Sequence, residues 1–193
     1  SPTVYDMAAY PKTLSGKTVT AYVNTHTDLS DELYREGKLV SDNYKNILRS
    51  QTNAAAIPAE VTVRYGVTVR RANLRNLPTG EGLFFYASDR NFDALQETAL
   101  DPGEAVAILH TSTNGYFYYV QAYNYRGWLS KFDVAETDRS IWLRYAEPKN
   151  FLTVVAKDYT LKADGAQVLF QQGARLQLAD KKASAYTVKV PVR

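Results

Sequence analysis

Residues 67–79 read VTVRRANLRNLPT, residues 92–110 read FDALQETALDPGEAVAILH, and residues 115–128 read GYFYYVQAYNYRGW. In the first stretch Val67 and Val69 alternate with Thr68 and Arg70, and the run stops at Leu77-Pro78-Thr79. A Gly103-Glu104 turn then opens the apolar run from Ala105 to His110, and Asn114-Gly115 opens an aromatic strand leading to Gly127-Trp128. Period-two alternation, β-branched and aromatic strand residues, and Gly at the turns together mark a small antiparallel barrel. Between the first two stretches, residues 80–96 form a long loop with one helical turn expected at 93–96. Loops of that length within a compact barrel commonly carry function.

Outward from this barrel the pattern changes on both sides. Residues 1–20 contain Pro2, Pro11 and Gly16 and show no sustained period, so an extended arm is expected. Ser30 precedes Asp31 and Glu32, an arrangement that caps a helix with an acidic first turn, and Leu29 and Leu33 lie one turn apart before Gly37 interrupts. Tyr44, Ile47 and Leu48 fall at i, i+3 and i+4, which predicts a second short helix. Residues 51–60, QTNAAAIPAE, mark a boundary.

On the far side, residues 151–155, 159–162, 168–170, 176–178 and 186–190 read as strands, with Ala163-Asp164-Gly165 as a turn. This block repeats the order of the middle one and reads as a diverged second copy of the same barrel. The expected fold is therefore mainly β. It comprises an N-terminal segment with short helices (1–62) and two tandem small antiparallel barrels (63–137 and 138–193).

The bulk properties restrict function by exclusion. Over 193 residues the hydrophobic and charged fractions, 45% and 22%, are those of a globular protein. The 23 basic and 20 acidic residues are interleaved, without the basic stripe of a nucleic-acid binder, and no nucleic-acid partner is expected. The absence of Cys removes disulfides, thiolate metal sites and cysteine nucleophiles, and it fits an exported protein that avoids free thiols. No apolar run approaches the ~20 residues of a membrane span. The chain opens with Ser1-Pro2 rather than Met, as expected of a processed or trimmed product.

Arg71-x-Asn73-Leu74-Arg75-x-x-Pro78 resembles the opening of bacterial SH3 domains. The later Glu97-Thr98-x-Leu100-x-x-Gly103-Glu104-x-Val106, Gly115-x-Phe117 and Tyr125-x-Gly127-Trp128 resemble the first SH3 module of NlpC-type cell-wall cysteine endopeptidases. The order of parts is similar too: a clip-like segment, two SH3-like barrels, and an ending at Val190-Pro191-Val192-Arg193. In that family a papain-like domain with catalytic Cys and His follows, cleaving between D-Glu and the diamino acid; this chain has no Cys. The resemblance thus implies the non-catalytic recognition portion of a peptidoglycan hydrolase, exported to the cell wall, periplasm or exterior, with a peptidase domain as partner in the parent chain. The alternative is a stand-alone wall-binding or protein-interaction module.

By resemblance, Glu97 and Tyr125 receive the free amino end of a stem peptide or muropeptide that starts with L-Ala. A carboxylate with an aromatic wall suits an ammonium group. Among 15 tyrosines, Tyr116, Tyr118, Tyr119, Tyr123 and Tyr125 crowd one hairpin. One face of that strand must be core, and the other, with Tyr118, is either further packing or a ligand platform. Arg64, Arg70, Arg71 and Arg75 form a basic strand suited to carboxylates or phosphates, or to ion pairing with Glu60 or Asp93. Arg75, Tyr118 and Trp128 complete the candidate ligand-binding set, while Trp128 and Trp142 also read as core or interface anchors. No catalytic residue, cofactor or metal is expected. His26 and His110 lack a partner motif, and Asp89, Asp93 and Glu97 are the only candidates for a carboxylate-pair glycosidase.

Overall fold

The computed structural model describes residues 4–25, 27–163 and 165–192. Ser1 and Pro2 of the expected arm, His26, Asp164 of the expected turn and Arg193 lie outside the described residues. The chain begins with β1 (Thr13–Ser15), α1 (Gly16–Asn24), β2 (Tyr34–Arg35), β3 (Lys38–Leu39), α2 (Asp42–Ser50) and β4 (Glu60–Thr62). Next come β5 (Arg64–Thr68), β6 (Ala72–Arg75), β7 (Gln96–Leu100), β8 (Ala105–Thr111), β9 (Phe117–Gln121), β10 (Arg126–Ser130) and β11 (Val134–Glu136). After α3 (Arg139–Ala146) follow β12 (Phe151–Thr153), β13 (Asp158–Ala163), β14 (Ala166–Gln171), β15 (Arg175–Lys182) and β16 (Ala185–Lys189).

The fold is mainly β, with SH3-like barrels and short helices. The first barrel is an antiparallel sheet of seven strands in the order β11-β5-β8-β9-β10-β6-β7. Its interior strand β8 explains the arrangement of the core. Val106 and Ile108 point into the barrel with Leu74, Val120 and Leu129, whereas Ala105, Ala107 and Leu109 point outward into a second cluster. A strand covered on both faces reads as an unbroken apolar run, as 105–109 does. The outer cover comes from α1 through Val19 and Val23, from α3 through Trp142, and from Met7 and Tyr10 of the arm. Trp142 has no exposed surface, and its Nε1 donates to the Val106 carbonyl at 3.1 Å.

The N-terminal segment departs from the expectation in three places. Part of the expected arm is α1, capped by Ser15, whose Oγ accepts from Thr18 N–H at 3.1 Å. Its Thr- and Val-rich sequence has low intrinsic helix propensity, so docking of Val19 and Val23 stabilises it. The helix expected after Ser30 is instead the β2–β3 hairpin. Glu36 and Gly37 both take positive φ (52° and 80°), the geometry of a two-residue hairpin turn. In α2 the buried face holds Lys45 and Leu48 with Tyr44 packed beside it, while Ile47 points to solvent.

At the start of the segment assigned to the second barrel, ahead of its first expected strand at residue 151, the chain forms α3, a helix that was not expected. The last strands form a three-stranded sheet β12-β15-β16 and a β13–β14 hairpin around a small core of Val154, Val168, Phe170, Ala174 and Leu176. This unit meets the first barrel where the Gln171 N–H donates to Asp101 Oδ1 at 3.4 Å, and α3 where Gln177 Nε2 donates to the Arg144 carbonyl at 3.3 Å.

Candidate functional site

The long loop from β6 to β7 is built on a buried ion pair. Arg75 ends β6 with its side chain 6% exposed, and its Nη1 lies 2.6 Å from Asp93 Oδ2. Its Nη2 donates to the Glu81 carbonyl at 2.6 Å, while Asp93 Oδ1 accepts from the backbone N–H groups of Leu83 (3.1 Å) and Leu95 (3.0 Å). Arg75 therefore ties both ends of the loop to the barrel. The N-terminal segment clamps the loop from outside: Tyr34 and Phe84 exchange backbone hydrogen bonds at 2.7 and 2.9 Å. Leu29, Leu33, Val40 and Leu48 bury Leu77, Leu83 and Leu95. Beyond this clamp Phe85, Tyr86 and Phe92 stand 49%, 72% and 78% exposed.

Glu97 lies on β7, half-buried, where the pairing of β6 with β7 shifts register between Leu74 and Arg75. Tyr125 immediately precedes β10 and packs its ring against the barrel-core cluster. Strand β6 separates them, which places their strands about 10 Å apart across the sheet. Trp128, Arg75 and Gln96 form one row across the three strands, and Glu97 and Tyr125 lie on opposite sides of that row. The pair is thus two separated points rather than one contact. The turn carrying Tyr125 is held from beneath by the buried Gln121, whose Nε2 donates to the carbonyls of Ala122 (2.7 Å) and Tyr125 (3.1 Å). Gln121 was not singled out in the sequence, although a polar residue ending an apolar strand just before a turn is a signal for such a brace.

The other candidates are engaged within the protein. Tyr118 donates to Glu136 Oε1 at 2.6 Å, and Arg64 bonds both oxygens of that carboxylate (3.1 and 2.9 Å) while lying 4.9 Å above the Tyr118 ring. Desolvation, reinforced by the bond to Glu136, raises the Tyr118 phenol above its ordinary value. Trp128 has no exposed surface and packs edge-on to Tyr119 at 5.2 Å, so it offers nothing to a ligand in this state and is a core anchor. Arg75 is buried in its pair with Asp93, which leaves Glu97 and Tyr125 as the partly exposed members of the set whose side chains have no polar partner among the described residues.

The basic strand resolves into pairs. Arg75 uses Asp93, one of the two expected acids, while Arg64 uses Glu136, Arg70 Asp133 and Arg71 Asp101, with no part for Glu60. These partners are distant in sequence and become neighbours only through strand pairing. Two of the three carboxylates weighed for glycoside cleavage are equally committed, and Glu97 is not. Asp89 accepts from the N–H groups of Asn91 and Phe92, which hold its carboxyl below the ordinary value, and Asp93 is the loop brace. His110 shares a hydrogen bond between Nε2 and the Asn53 carbonyl at 3.0 Å and packs on Trp128, a structural position. Among the described residues no group of three or more His, Cys, Asp or Glu could hold a metal ion.

Residues 83–130 match a family model described as an SH3 domain of the SH3b1 type. The search of curated proteins finds no match. Among solved structures, the chain superimposes on an NlpC/P60 endopeptidase from Photobacterium damselae subsp. piscicida with a TM-score of 0.64 at 18% identity. The alignment covers 90% of this chain and 42% of that one, so this chain spans less than half the length of that endopeptidase. At this identity the likeness bears on the fold. Residues 83–130 are thus similar to an SH3 domain of the SH3b1 type, and the fold is similar to part of that endopeptidase.

Proposed function

We propose that this chain is the non-catalytic recognition portion of a bacterial peptidoglycan hydrolase. In this reading, residues 1–62 act as the clip, 63–137 as the recognising barrel and 138–193 as a second barrel, exported and acting beside an NlpC-type peptidase domain. The ligand is a cell-wall stem peptide or muropeptide with a free N-terminal L-Ala. The observation that carries the reading is the placement of Glu97 and Tyr125 on a rigid ladder beside a clamped loop, in a module of the SH3b1 type. Glu97 supplies the charge for the ammonium and Tyr125 the wall. Amide-linked glycan strands present no such ammonium and are discriminated against. This chain contains no Cys and brings no cysteine nucleophile of its own.

The test is a ¹⁵N NMR titration of the chain with the tripeptide L-Ala-γ-D-Glu-diaminopimelate and with its N-acetylated form, at millimolar concentration, where half-built sites still report. Saturable shifts at Glu97 and Tyr125 with the free amine alone support the proposal. Equal shifts with the acetylated peptide, or none with either, refute it. A second reading, a stand-alone protein-interaction module, draws on the exposed Phe85, Tyr86 and Phe92. Under that reading the peptide leaves the Glu97 amide unmoved.

A further inference from the structure

A cleft of about 450 Å³ opens where three parts of the chain converge, and neither Glu97 nor Tyr125 lines it. Its walls are Tyr5 and Asp6 of the arm, Glu104 at the start of β8, Arg144 and Tyr145 at the end of α3, and Arg175 on β15. That volume is within the range of small-ligand sites, roughly 300–1,000 Å³. The arm is fixed there by the Tyr5 N–H, which donates to the Tyr123 carbonyl at 2.7 Å. The second barrel is fixed by the contacts of Gln171 and Gln177 described above.

The polar groups lining the cleft are incompletely satisfied. Glu104 uses its backbone to hold Thr68, with its N–H donating to Thr68 Oγ1 at 2.9 Å and its carbonyl accepting from Thr68 N–H at 3.0 Å. Its carboxylate has no hydrogen bond or ion pair among the described residues, although it is mostly buried. Desolvation raises that carboxyl above its ordinary value, Asp101 raises it further, and Arg175 partly offsets both. Gln177 Oε1, also in the lining, is buried without a hydrogen-bond partner. A buried acceptor left unpaired costs about 1–3 kcal/mol, so Gln177 Oε1 favours a donor that enters the cleft, and the partly exposed Glu104 carboxylate adds a negative charge beside it. An ammonium group donates three hydrogen bonds and carries the compensating charge. On the exposed side, Arg144 and Arg175 form no ion pair among the described residues, and Arg175 is held 5.0 Å over the Phe151 ring. Guanidinium groups with free donors suit a carboxylate. Tyr5, Tyr123 and Tyr145 also line the cleft.

We infer that this inter-barrel cleft binds a small zwitterion, an amino acid or short peptide, with its ammonium on Glu104 and Gln177 and its carboxylate on Arg144 and Arg175. The site is separate from the Glu97–Tyr125 pair and stands without it. Because a ligand there touches the arm, α3 and the second barrel at once, occupancy also ties the two barrels together.

The test uses the whole chain and the dipeptide alanyl-alanine, with its N-acetyl and C-terminal amide forms as controls on the same wild-type protein. Saturable ¹⁵N shifts at residues 103–105, 144–146 and 175–177 are expected with the free dipeptide. Blocking either end weakens them, and Glu104→Gln lowers affinity about tenfold or more. Glu97→Gln leaves this binding unchanged, which separates the two sites. Absence of saturable shifts in the cleft, or equal affinity for the N-acetyl form, overturns the assignment. Because those comparisons use unmodified protein, a Glu104 variant that folds poorly does not rescue it; Arg175→Met, on an exposed side chain, supplies the second variant and is expected to weaken the free dipeptide but not its amide.

Discussion

Replacing Asp93 by Ala removes one partner of the Arg75–Asp93 pair while the guanidinium stays buried. The two side chains are 6% and 16% exposed, so little water is available to take over. Breaking such a pair from one side costs about 3–5 kcal/mol, most of it the desolvated charge left behind. The N–H groups of Leu83 and Leu95 lose their acceptor in the same step. For a chain of 193 residues the melting temperature moves by roughly 2–4 °C per kcal/mol, so a fall of about 6–20 °C is expected. Calorimetric melting is the assay, with hydrogen exchange at residues 81–95 as the local readout. Asp93→Asn, which keeps an acceptor for the two N–H groups, falls between wild type and Asp93→Ala. The double variant Arg75→Met with Asp93→Leu removes the stranded charge and recovers part of the loss. A melt lowered by less than about 2 °C for Asp93→Ala, or exchange unchanged across the loop, would refute the idea that this pair bolts the loop to the barrel.

Three further perturbations separate the parts of the fold. Trp142→Ala empties a fully buried site under α3 and should cost about 3–5 kcal/mol in a denaturant melt, whereas a cost below 1 kcal/mol would mean α3 does not cover the barrel. Gly127→Ala places a methyl group 2.6 Å from the Arg75 carbonyl oxygen and should lower the melting midpoint by about 1–3 kcal/mol of stability; an unchanged midpoint would contradict the close β6–β10 approach. His110 titrates below the ordinary imidazole value because burial disfavours the imidazolium. The unfolded chain therefore binds this proton first, so the histidine's contribution is complete above about pH 6.5 and shrinks as pH falls below it. Melting temperature followed against pH should show this slope in wild type and lose it in His110→Gln; identical slopes would remove the assignment.

The barrel was legible because its strands carry local signals. Alternation at 67–70, Gly103 and Gly115 with positive φ, and the two-faced run 105–109 each follow from one short stretch of chain. The N-terminal elements were not, since their conformations are set by docking. The Leu29 and Leu33 spacing suits a helix, but both side chains enter the cluster under the long loop while Glu36-Gly37 turns the backbone into a hairpin. Helix α3 was hidden for a related reason: its sequence places Trp142 on one face, and only the exposed side of β5 and β8 explains why that face is covered. At the site, Glu97 and Tyr125 were readable through motif likeness alone. Asp93 and Glu136, which engage Arg75 and Tyr118, act through strand register and long-range pairing that no local pattern encodes, whereas the Gln121 brace under Tyr125 is local.

The central claim, recognition of a free amino end by Glu97, is tested most directly by comparing dissociation constants for the free-amine stem tripeptide in wild type and Glu97→Gln. The two variants differ by one charge at a half-buried position. Losing a charge-assisted hydrogen bond of about 1.5–3 kcal/mol predicts a weakening of roughly tenfold or more. The N-acetylated tripeptide should bind both proteins equally weakly. A free-amine affinity unchanged by the substitution would contradict the account and leave Glu97 a solvated strand residue.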